Sequence, residues 1–522
     1  MTLALALLFA ALSGFLALSY EVVWYRVFSF ATGGTSVTFA LLLGFYLYGL
    51  AGGGLIAARI CRDRAPARRG EFVLYLSAFV LAAALAAYGV IPLLVRACGA
   101  GLCLAALPGV TVAAALLGSV LPIICHLAIR PGALAGARLS YVYAANTLGS
   151  VGGTLLTGYL LLDVWPAARV ALLLGAMGVA LAGLLLFVGG VSRAHRLGAG
   201  GGLAAAAAAL FVLHPHLLDR LYERLLLKSR FTEDARFAHV LENRVGVIAI
   251  SKTGVVYGGG VYDGRVNVDL RHDANWLIRA AAIPAFHPRP RRVLMLGLSM
   301  GAWAQLIANL PGVDSLTIVE INPGYLQLIP QYPSVASLLH NPKVTIVVDD
   351  GRRWLARHPE AEFDLVVANL TFHWRDHMTN LLSVEYLEMV RRHLDVGGVY
   401  YFNTTGSEDA IKTALGVFRH GFRFLNFVAV TDSPAEFDRV RWERVLRSWQ
   451  IDGKPLLDSA VEADAARIRQ LVGLAPEGYP DQHGVLLEPE EPLRASTPGS
   501  RVITDDNMVT EWRVAAADLV VP

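Results

Sequence analysis

Three acids close apolar runs where chemistry could use them: Glu320 after residues 316–319, and Asp349 and Asp350 after residues 344–348. An amide, Asn369, closes the run 363–368, and the loop Phe372-His373-Trp374-Arg375-Asp376-His377 follows it. Carboxylates at such points can accept hydrogen bonds from ribose hydroxyls or take a proton from an amine, and imidazoles can pass one on. His373 and His377 on a surface loop could equally be solvated, and Asn369 could simply cap the loop that it begins.

These residues need a scaffold, and the pattern around them supplies one. Residues 293–296 read as a buried parallel strand that breaks at Gly297 and Gly301, with Ser299 between them, and a helix is expected at 302–309. Strand, glycine turn, helix, strand, acid is the layout of a nucleoside-binding α/β crossover: the glycines admit the ligand to the backbone and the acid receives the ribose. The candidate nucleoside site is therefore Gly297, Ser299, Gly301, Glu320, Asp349 and Asp350. In open α/β sheets ligands sit at the carboxyl ends of strands, so Gly297, Glu320, Asp350, Asn369 and Asn403 should ring one cleft; in a donor-independent enzyme Trp303 or Trp374 could cover it. Candidate catalytic residues are Glu320, Asp350, Asn369, His373, Asp376 and His377.

Ahead of this core, strands are expected at 238–241, 246–251 and 254–257, then a turn at Tyr262-Asp263-Gly264-Arg265 and a helix over 275–286. Further strands are expected at 344–348, 363–368 and 399–403, with a helix at 383–394. Residues 502–506 with Glu511-Trp512 read as a tail returning to the fold.

The chain has 522 residues, 55% of them hydrophobic, with a net charge of +3 and a mean hydropathy of +0.49. That apolar excess is concentrated: residues 1–213 hold twelve arginines, no lysine and four acids, a formal charge of +8, against −5 for the remainder. Two halves in two solvents are implied, and nothing in the charge balance points to nucleic acid. The four cysteines (Cys61, Cys98, Cys103, Cys125) all lie in the apolar half without a zinc spacing, so no metal site and no thiol nucleophile are expected in the other half. Cys98 and Cys103 flank a short loop and could pair in an oxidising compartment, or remain two small apolar residues.

Seven stretches approach the length of a bilayer span: 2–19, 36–58, 72–96, 101–129, 139–162, 168–190 and 198–214. Arginines cluster after the second (Arg59, Arg62, Arg64, Arg68, Arg69), the fourth (Arg130, Arg138) and the sixth (Arg193, Arg196), which puts the N-terminus in the cytoplasm. With seven spans the C-terminal half lies on the outer side, the periplasm of a bacterial inner membrane. If segment seven does not span, that half is cytoplasmic. Glu21, Arg26 and Asn146 are costly in a bilayer. Glu21 and Arg26 could pair or sit at the interface while Asn146 and nearby glycines glue helices, or all three could face a polar pocket.

The C-terminal half resembles the spermidine synthase (polyamine aminopropyltransferase) family, whose fold is class I methyltransferase-like. The carrying stretches are 293–301, Val319-Glu320-Ile321-Asn322-Pro323, Asp349-Asp350-Gly351-Arg352, Phe363-Asp364-Leu365-Val366-Val367 and Leu381-Leu382-Ser383-Val384-Glu385-Tyr386. Glu242-Asn243 and Val261-Tyr262-Asp263-Gly264 resemble the family's N-terminal β unit. Tyr20-Glu21-Val22-Val23-Trp24-Tyr25-Arg26 and Tyr143-Ala144-Ala145-Asn146-Thr147-Leu148-Gly149 resemble the membrane portion of bacterial fused forms. The expected architecture is thus a polytopic α-helical membrane domain (1–214), a linker (215–235), a small β unit with an entry helix (236–290), a Rossmann-like spermidine synthase-like core (291–430) and a C-terminal extension (431–522).

The resemblance implies that Gly297 and Gly301 shape the nucleoside site, Glu320 holds ribose hydroxyls and Asp350 contacts the adenine amino group. Decarboxylated S-adenosylmethionine would be the co-substrate, a small amine the acceptor, and a homodimer a compatible assembly. Asn369 stands where the family has its catalytic Asp, and an amide is no base at neutral pH. The acidic Asp-Pro segment is replaced by the Phe372–His377 loop, and the glycine-rich turn containing Asp becomes Gly-Leu-Ser-Met-Gly. Three functions follow: aminopropyl or related transfer with His373, Asp376 or His377 as base; a donor-independent enzyme on the same scaffold, such as one cyclising or transferring an amine at a peptide N-terminus; or a polyamine-binding or transport protein.

Overall fold

The computed structural model describes residues 1–62, 69–189, 191–370, 372–404, 406–434, 436–473, 487–497 and 499–512. Arg64 and Arg68 of the expected basic connection lie outside them. The chain forms two compact units, Met1–Val247 and a second from Ile248.

The first unit contains seven helices long and apolar enough to cross a membrane. They are α1 (Leu3–Thr32), α2 (Ser36–Arg62), α3 (Arg69–Gly99), α4 (Leu107–Ala128), α5 (Ala135–Leu156), α6 (Ala167–Val188) and α7 (Arg193–Leu217). The first was expected to end near residue 19. It runs on for more than three turns, so Tyr20 to Arg26 lies inside a helix, where Tyr20 and Trp24 are fully buried.

Helices α1 and α5 touch backbone to backbone. A Cβ on Gly149 would stand 1.9 Å from the Ala11 carbonyl oxygen, and one on Gly153 2.3 Å from that of Phe15. Asn146 Nδ2 donates to the Ala10 carbonyl at 3.0 Å. Close approach through small residues plus a side-chain hydrogen bond is how helices adhere in lipid, so Asn146 and these glycines act as glue. Cys98 and Cys103 form a disulfide across the α3–α4 connection.

After α7 comes a short helix, α8 (Leu221–Leu227), then strand β1 (Phe237–Glu242). Arg26 donates to the carbonyls of Asn243 (2.7 Å) and Arg244 (2.9 Å). The Arg244 N–H donates to Asp163 at 3.0 Å, and the Ala167 N–H to Glu242 at 2.9 Å. The segment beyond α7 is thus tied to the end of α1 and to the α5–α6 connection. Connections after odd-numbered helices share one end of an alternating bundle, so α7 runs its full length back to that end. Burial pushes the Glu242 carboxyl up, against the hydrogen bonds from Tyr222 and Ala167 and the charge of Arg26.

The second unit opens with β2 (Val247–Ser251), β3 (Val255–Gly258) and β4 (Val261–Arg265), each antiparallel to the next. The turn expected at 262–265 is instead strand β4. The chain reverses at Gly259-Gly260, both with positive φ, which is the hairpin signal for a two-residue loop. The helix expected over 275–286 is two short turns, Ile278–Ala281 and Ile283–Phe286, the first begun by Asp273, which accepts the N–H groups of Leu277 (2.6 Å) and Ile278 (2.9 Å).

The core is one sheet. Strands β5 (Arg292–Leu296), β6 (Ser315–Glu320), β7 (Val344–Val348), β8 (Phe363–Ala368), β9 (Leu394–Asn403), β10 (His420–Phe424), β11 (Phe427–Thr431) and β12 (Leu487–Glu488) lie in the order β12-β10-β11-β9-β8-β5-β6-β7. Neighbours from β7 through to β9 are parallel, and the β9–β11, β11–β10 and β10–β12 pairs are antiparallel. This is an α/β methyltransferase-like sheet. Helices α9 (Ala302–Ala308), α10 (Gly351–Arg357), α11 (Val384–Arg392) and α12 (Glu408–Val417) connect its strands. The tail does return: Ile503 is buried, and its N–H donates to Thr413 at 2.9 Å.

Candidate functional site

The chain order of the sheet reverses between β5 and β8, which makes the carboxyl ends of these two strands the topological switch point. Gly297, after β5, has φ +88°, and the nearest atom to a Cβ there would be the Asn369 carbonyl oxygen at 3.9 Å. Gly297 therefore serves a backbone conformation, and leaves open space beside the end of β8. Ser299 also has positive φ, and its Oγ donates to the Asp263 carbonyl at 2.8 Å.

Glu320 sits at the end of β6 and is 4% exposed. Its Oε2 accepts the Leu298 N–H at 2.6 Å and its Oε1 the Asn322 N–H at 2.7 Å, so it clamps the glycine turn. Burial pushes its carboxyl up to about 7, against these N–H bonds and with help from the charge of Asp263. At the end of β7, Asp350 caps α10 by accepting the Arg353 N–H at 2.8 Å. Asp349 accepts the Asp350 N–H at 2.7 Å and is held below the ordinary carboxylate range chiefly by the Arg353 guanidinium.

A cavity of about 290 Å³ opens at the switch point. Its lining includes Asp263 and Gly264 from β4, Asn275, Trp276 and Arg279 from the segment before β5, Asn369 and Phe372 after β8, Asn403 at the end of β9, and Asn426. Among the described lining residues the one acid is Asp263. The Tyr325 hydroxyl donates to its Oδ2 at 2.5 Å. Burial pushes the Asp263 carboxyl up, while Tyr325, Ser299 and the charge of Arg375 pull it down.

Of the residues singled out in the sequence, Asn369 and Asn403 line this cavity, Gly297 and Ser299 lie on the turn beside it, and Glu320 holds that turn from the end of β6. Asp349 and Asp350 are engaged by α10. His373, Asp376 and His377 follow on the loop after β8 and are not in the lining; the His377 side chain is 79% exposed, 3.5 Å from Asp376. Trp374 is buried and stacks on Phe372 at 5.1 Å, and Trp303 is buried against Phe427 at 5.0 Å. Asp263, Tyr325, Arg279 and Asn426 were not singled out for chemistry. Arg279 carried a legible signal, a lone charge inside Trp-Leu-Ile-Arg-Ala-Ala-Ala-Ile, because a charge in so apolar a run must be buried with partners.

Residues 281–412 match the family model for the spermine/spermidine synthase domain. The likeness to this family therefore falls in the C-terminal region. A polyamine aminopropyltransferase of Mycobacterium tuberculosis (strain CDC 1551 / Oshkosh) is 28% identical over 411 residues, 76% of each chain. That of Desulforudis audaxviator (strain MP104C) is 31% identical over 129 residues, 23% of this chain and 45% of its own. Among solved structures, spermidine synthase from Thermotoga maritima aligns with 15% identity and a TM-score of 0.34, covering 46% of this chain and 88% of that one. Enzymes with the synthase domain take the aminopropyl group from decarboxylated S-adenosylmethionine and pass it to an amine.

Proposed function

We propose that the chain is a membrane-anchored enzyme of the aminopropyltransferase type in which Asp263, rather than the residue after β8, draws in the attacking amine and takes its proton. The observation that carries this is the cavity lining, where Asp263 is the one acid among the described residues and an amide, Asn369, stands after β8, where the resemblance leads one to expect an acid. The nucleoside end of the donor suits the open space at Gly297 and the buried Glu320. In the transfer the amine nitrogen bonds to the carbon beside the sulfonium, the carbon–sulfur bond breaks, a neutral thioether leaves and the amine sheds one proton. A carboxylate whose affinity for protons is raised by burial is better matched to that proton than an ordinary one.

A second reading is favoured by the Cys98–Cys103 disulfide. Disulfides persist in oxidising compartments, which supports an outer α3–α4 connection. The arginine-rich connections after α2, α4 and α6 support the same orientation. The chain leaving α7 would then enter the periplasm, away from S-adenosyl donors, and the scaffold would act on an exported substrate without a donor. Cyclisation of an N-terminal glutamine is one such reaction: the α-amine attacks the side-chain amide carbon and ammonia leaves.

Both are tested on the purified full chain by mass spectrometry. With decarboxylated S-adenosylmethionine and a panel of amine acceptors (putrescine, 4-aminobutanoate and a short peptide), the first reading expects 5′-methylthioadenosine and one aminopropylated amine, both lost in Asp263→Asn. The second expects neither, and release of ammonia from a peptide beginning with glutamine. No product in either assay refutes both and leaves a binding role.

A further inference from the structure

The cavity wall opposite in chemistry to Asp263 is built from side-chain amides, and their orientation can be read from its two ends. Arg279 is buried, 9% exposed, between the rings of Trp303 (5.2 Å) and Phe427 (5.1 Å). Its guanidinium only donates, and its Nη1 lies 2.9 Å from Asn426 Oδ1. Asn426 must therefore turn its oxygen to Arg279 and its nitrogen away, and that nitrogen donates to Asn403 Oδ1 at 2.8 Å. Asn403 in turn directs its Nδ2 to the Leu370 carbonyl at 3.0 Å, and this carbonyl only accepts. The same Nδ2 reaches Asn369 Oδ1 at 3.4 Å. A donor at one end and an acceptor at the other fix every amide between them. Asn369 has its oxygen held inward, and the group that it offers to the cavity is its NH2.

We infer that Asn369 donates a hydrogen bond to a carbonyl or carboxylate oxygen of the substrate, held in that pose by the Arg279–Asn426–Asn403 relay, so that the amine accepted here also carries such an oxygen. An amino acid or a peptide-like amine meets this condition; a diamine or polyamine does not. A second ammonium group at this wall would face an N–H donor with a buried guanidinium behind it, and would leave the donor unpaired. Asn369 would touch substrate, whereas Asn426 and Asn403 would be positioning residues acting through it. The inference rests on the cavity being the substrate site, and it concerns what binds rather than which bond is made.

Two probes of equal chain length differ only at the distal group: putrescine ends in an amine, 4-aminobutanoate in a carboxylate. Calorimetry on the full chain in detergent should find 4-aminobutanoate bound at least about tenfold tighter, one hydrogen bond's difference in pairing. Asn369→Asp keeps the acceptor for Asn403 and replaces the donor with a charge, so the preference should reverse. Asn426→Asp still satisfies Arg279 but cannot donate to Asn403; the relay is then broken without touching substrate, and the preference should shrink. A wild-type chain that binds putrescine equally or better, or binds neither probe at millimolar concentration, overturns the inference. So does an Asn369→Asp variant with the wild-type preference. The preference is measured without turnover, so failure of the transfer or cyclisation assays is a separate result.

Discussion

Replacing Glu320 with Gln separates what this carboxylate costs from what it holds. Burial moves its pKa from 4.5 to about 7, which at about 1.4 kcal/mol per pH unit is about 3 kcal/mol of linkage. The sign follows from which state holds the proton more tightly. With the folded value raised, the contribution is fully present below the unfolded pKa of 4.5 and is lost as pH rises through about 7. Glutamine cannot ionise, and like the protonated acid it places a donor against one of the two N–H groups that Glu320 now accepts at 2.6 and 2.7 Å. The two proteins should therefore have similar stability near pH 5 and diverge above it, the Gln variant ending about 3 kcal/mol more stable by about pH 8. Thermal unfolding of the full chain in detergent, followed by tryptophan fluorescence across this range, should show a gap of several degrees opening with pH. Asp263 is also raised and adds to the slope of both proteins, so the difference between the profiles is the quantity to read. Parallel profiles, or a Gln variant less stable by the same amount at every pH, would refute the reasoning by showing Glu320 to be ionised throughout.

Gly149→Leu must push α1 from α5, because even a Cβ there would meet the Ala11 carbonyl at 1.9 Å; a loss of about 2 kcal/mol or more is expected, seen as a lower melting temperature, and an unchanged one would refute the close packing. A membrane-impermeant maleimide applied to intact cells should label Cys98 and Cys103 only after a reductant. Labelling without reductant would deny the disulfide; because both thiols are buried, no labelling in intact reduced cells together with labelling after the same cells are lysed would deny the outer placement. Arg352 binds Asp505 through two nitrogens, at 2.8 and 2.5 Å, and also the Asn380 carbonyl at 2.9 Å. Arg352→Ala should cost about 1 kcal/mol, the pair being partly exposed, and should speed proteolysis after residue 499; an unchanged cleavage rate would show that other contacts hold the tail.

The parallel strands were legible because each is a short Val- and Leu-rich run closed by a glycine, an acid or an amide, a pattern that few other structures produce. The seven apolar helices were legible for the same reason on a longer scale. The hairpin before the core was not: Gly259-Gly260 carries the turn, but Tyr262-Asp263-Gly264 contains a turn dipeptide of its own and was read in its place. The end of α1 was misjudged because Glu21 and Arg26 look like an interface, whereas Arg26 reaches carbonyls more than 200 residues away. The cavity was half legible. Strand-end positions are periodic and can be counted, so Asn369 and Asn403 could be found, but Asp263, Arg279 and Asn426 arrive from outside the strand ends through tertiary packing that no local pattern encodes.

That division explains how the site is built. Glu320, Asp349 and Asp350 each accept a backbone N–H, two at the first turn of a helix and one at the glycine turn, so part of their hydrogen-bonding capacity already serves the scaffold. The cavity polarity comes instead from two groups that reach the switch point from outside the parallel strands. Asp263 supplies negative charge from β4, and Arg279 supplies positive charge that is passed through Asn426 and Asn403 as oriented amide dipoles. Arg279 is buried and Asp263 half-buried, where such interactions are screened less than at the surface. A ligand with an amine at one end and an oxygen acceptor at the other is matched in one orientation and mismatched in the other, because reversing it would set an ammonium against Asn369 and an oxygen against Asp263. On the proposed reading, the amide at Asn369 and the acid at Asp263 are then parts of one arrangement, with the negative pole of the cavity on β4 and an N–H donor at the end of β8.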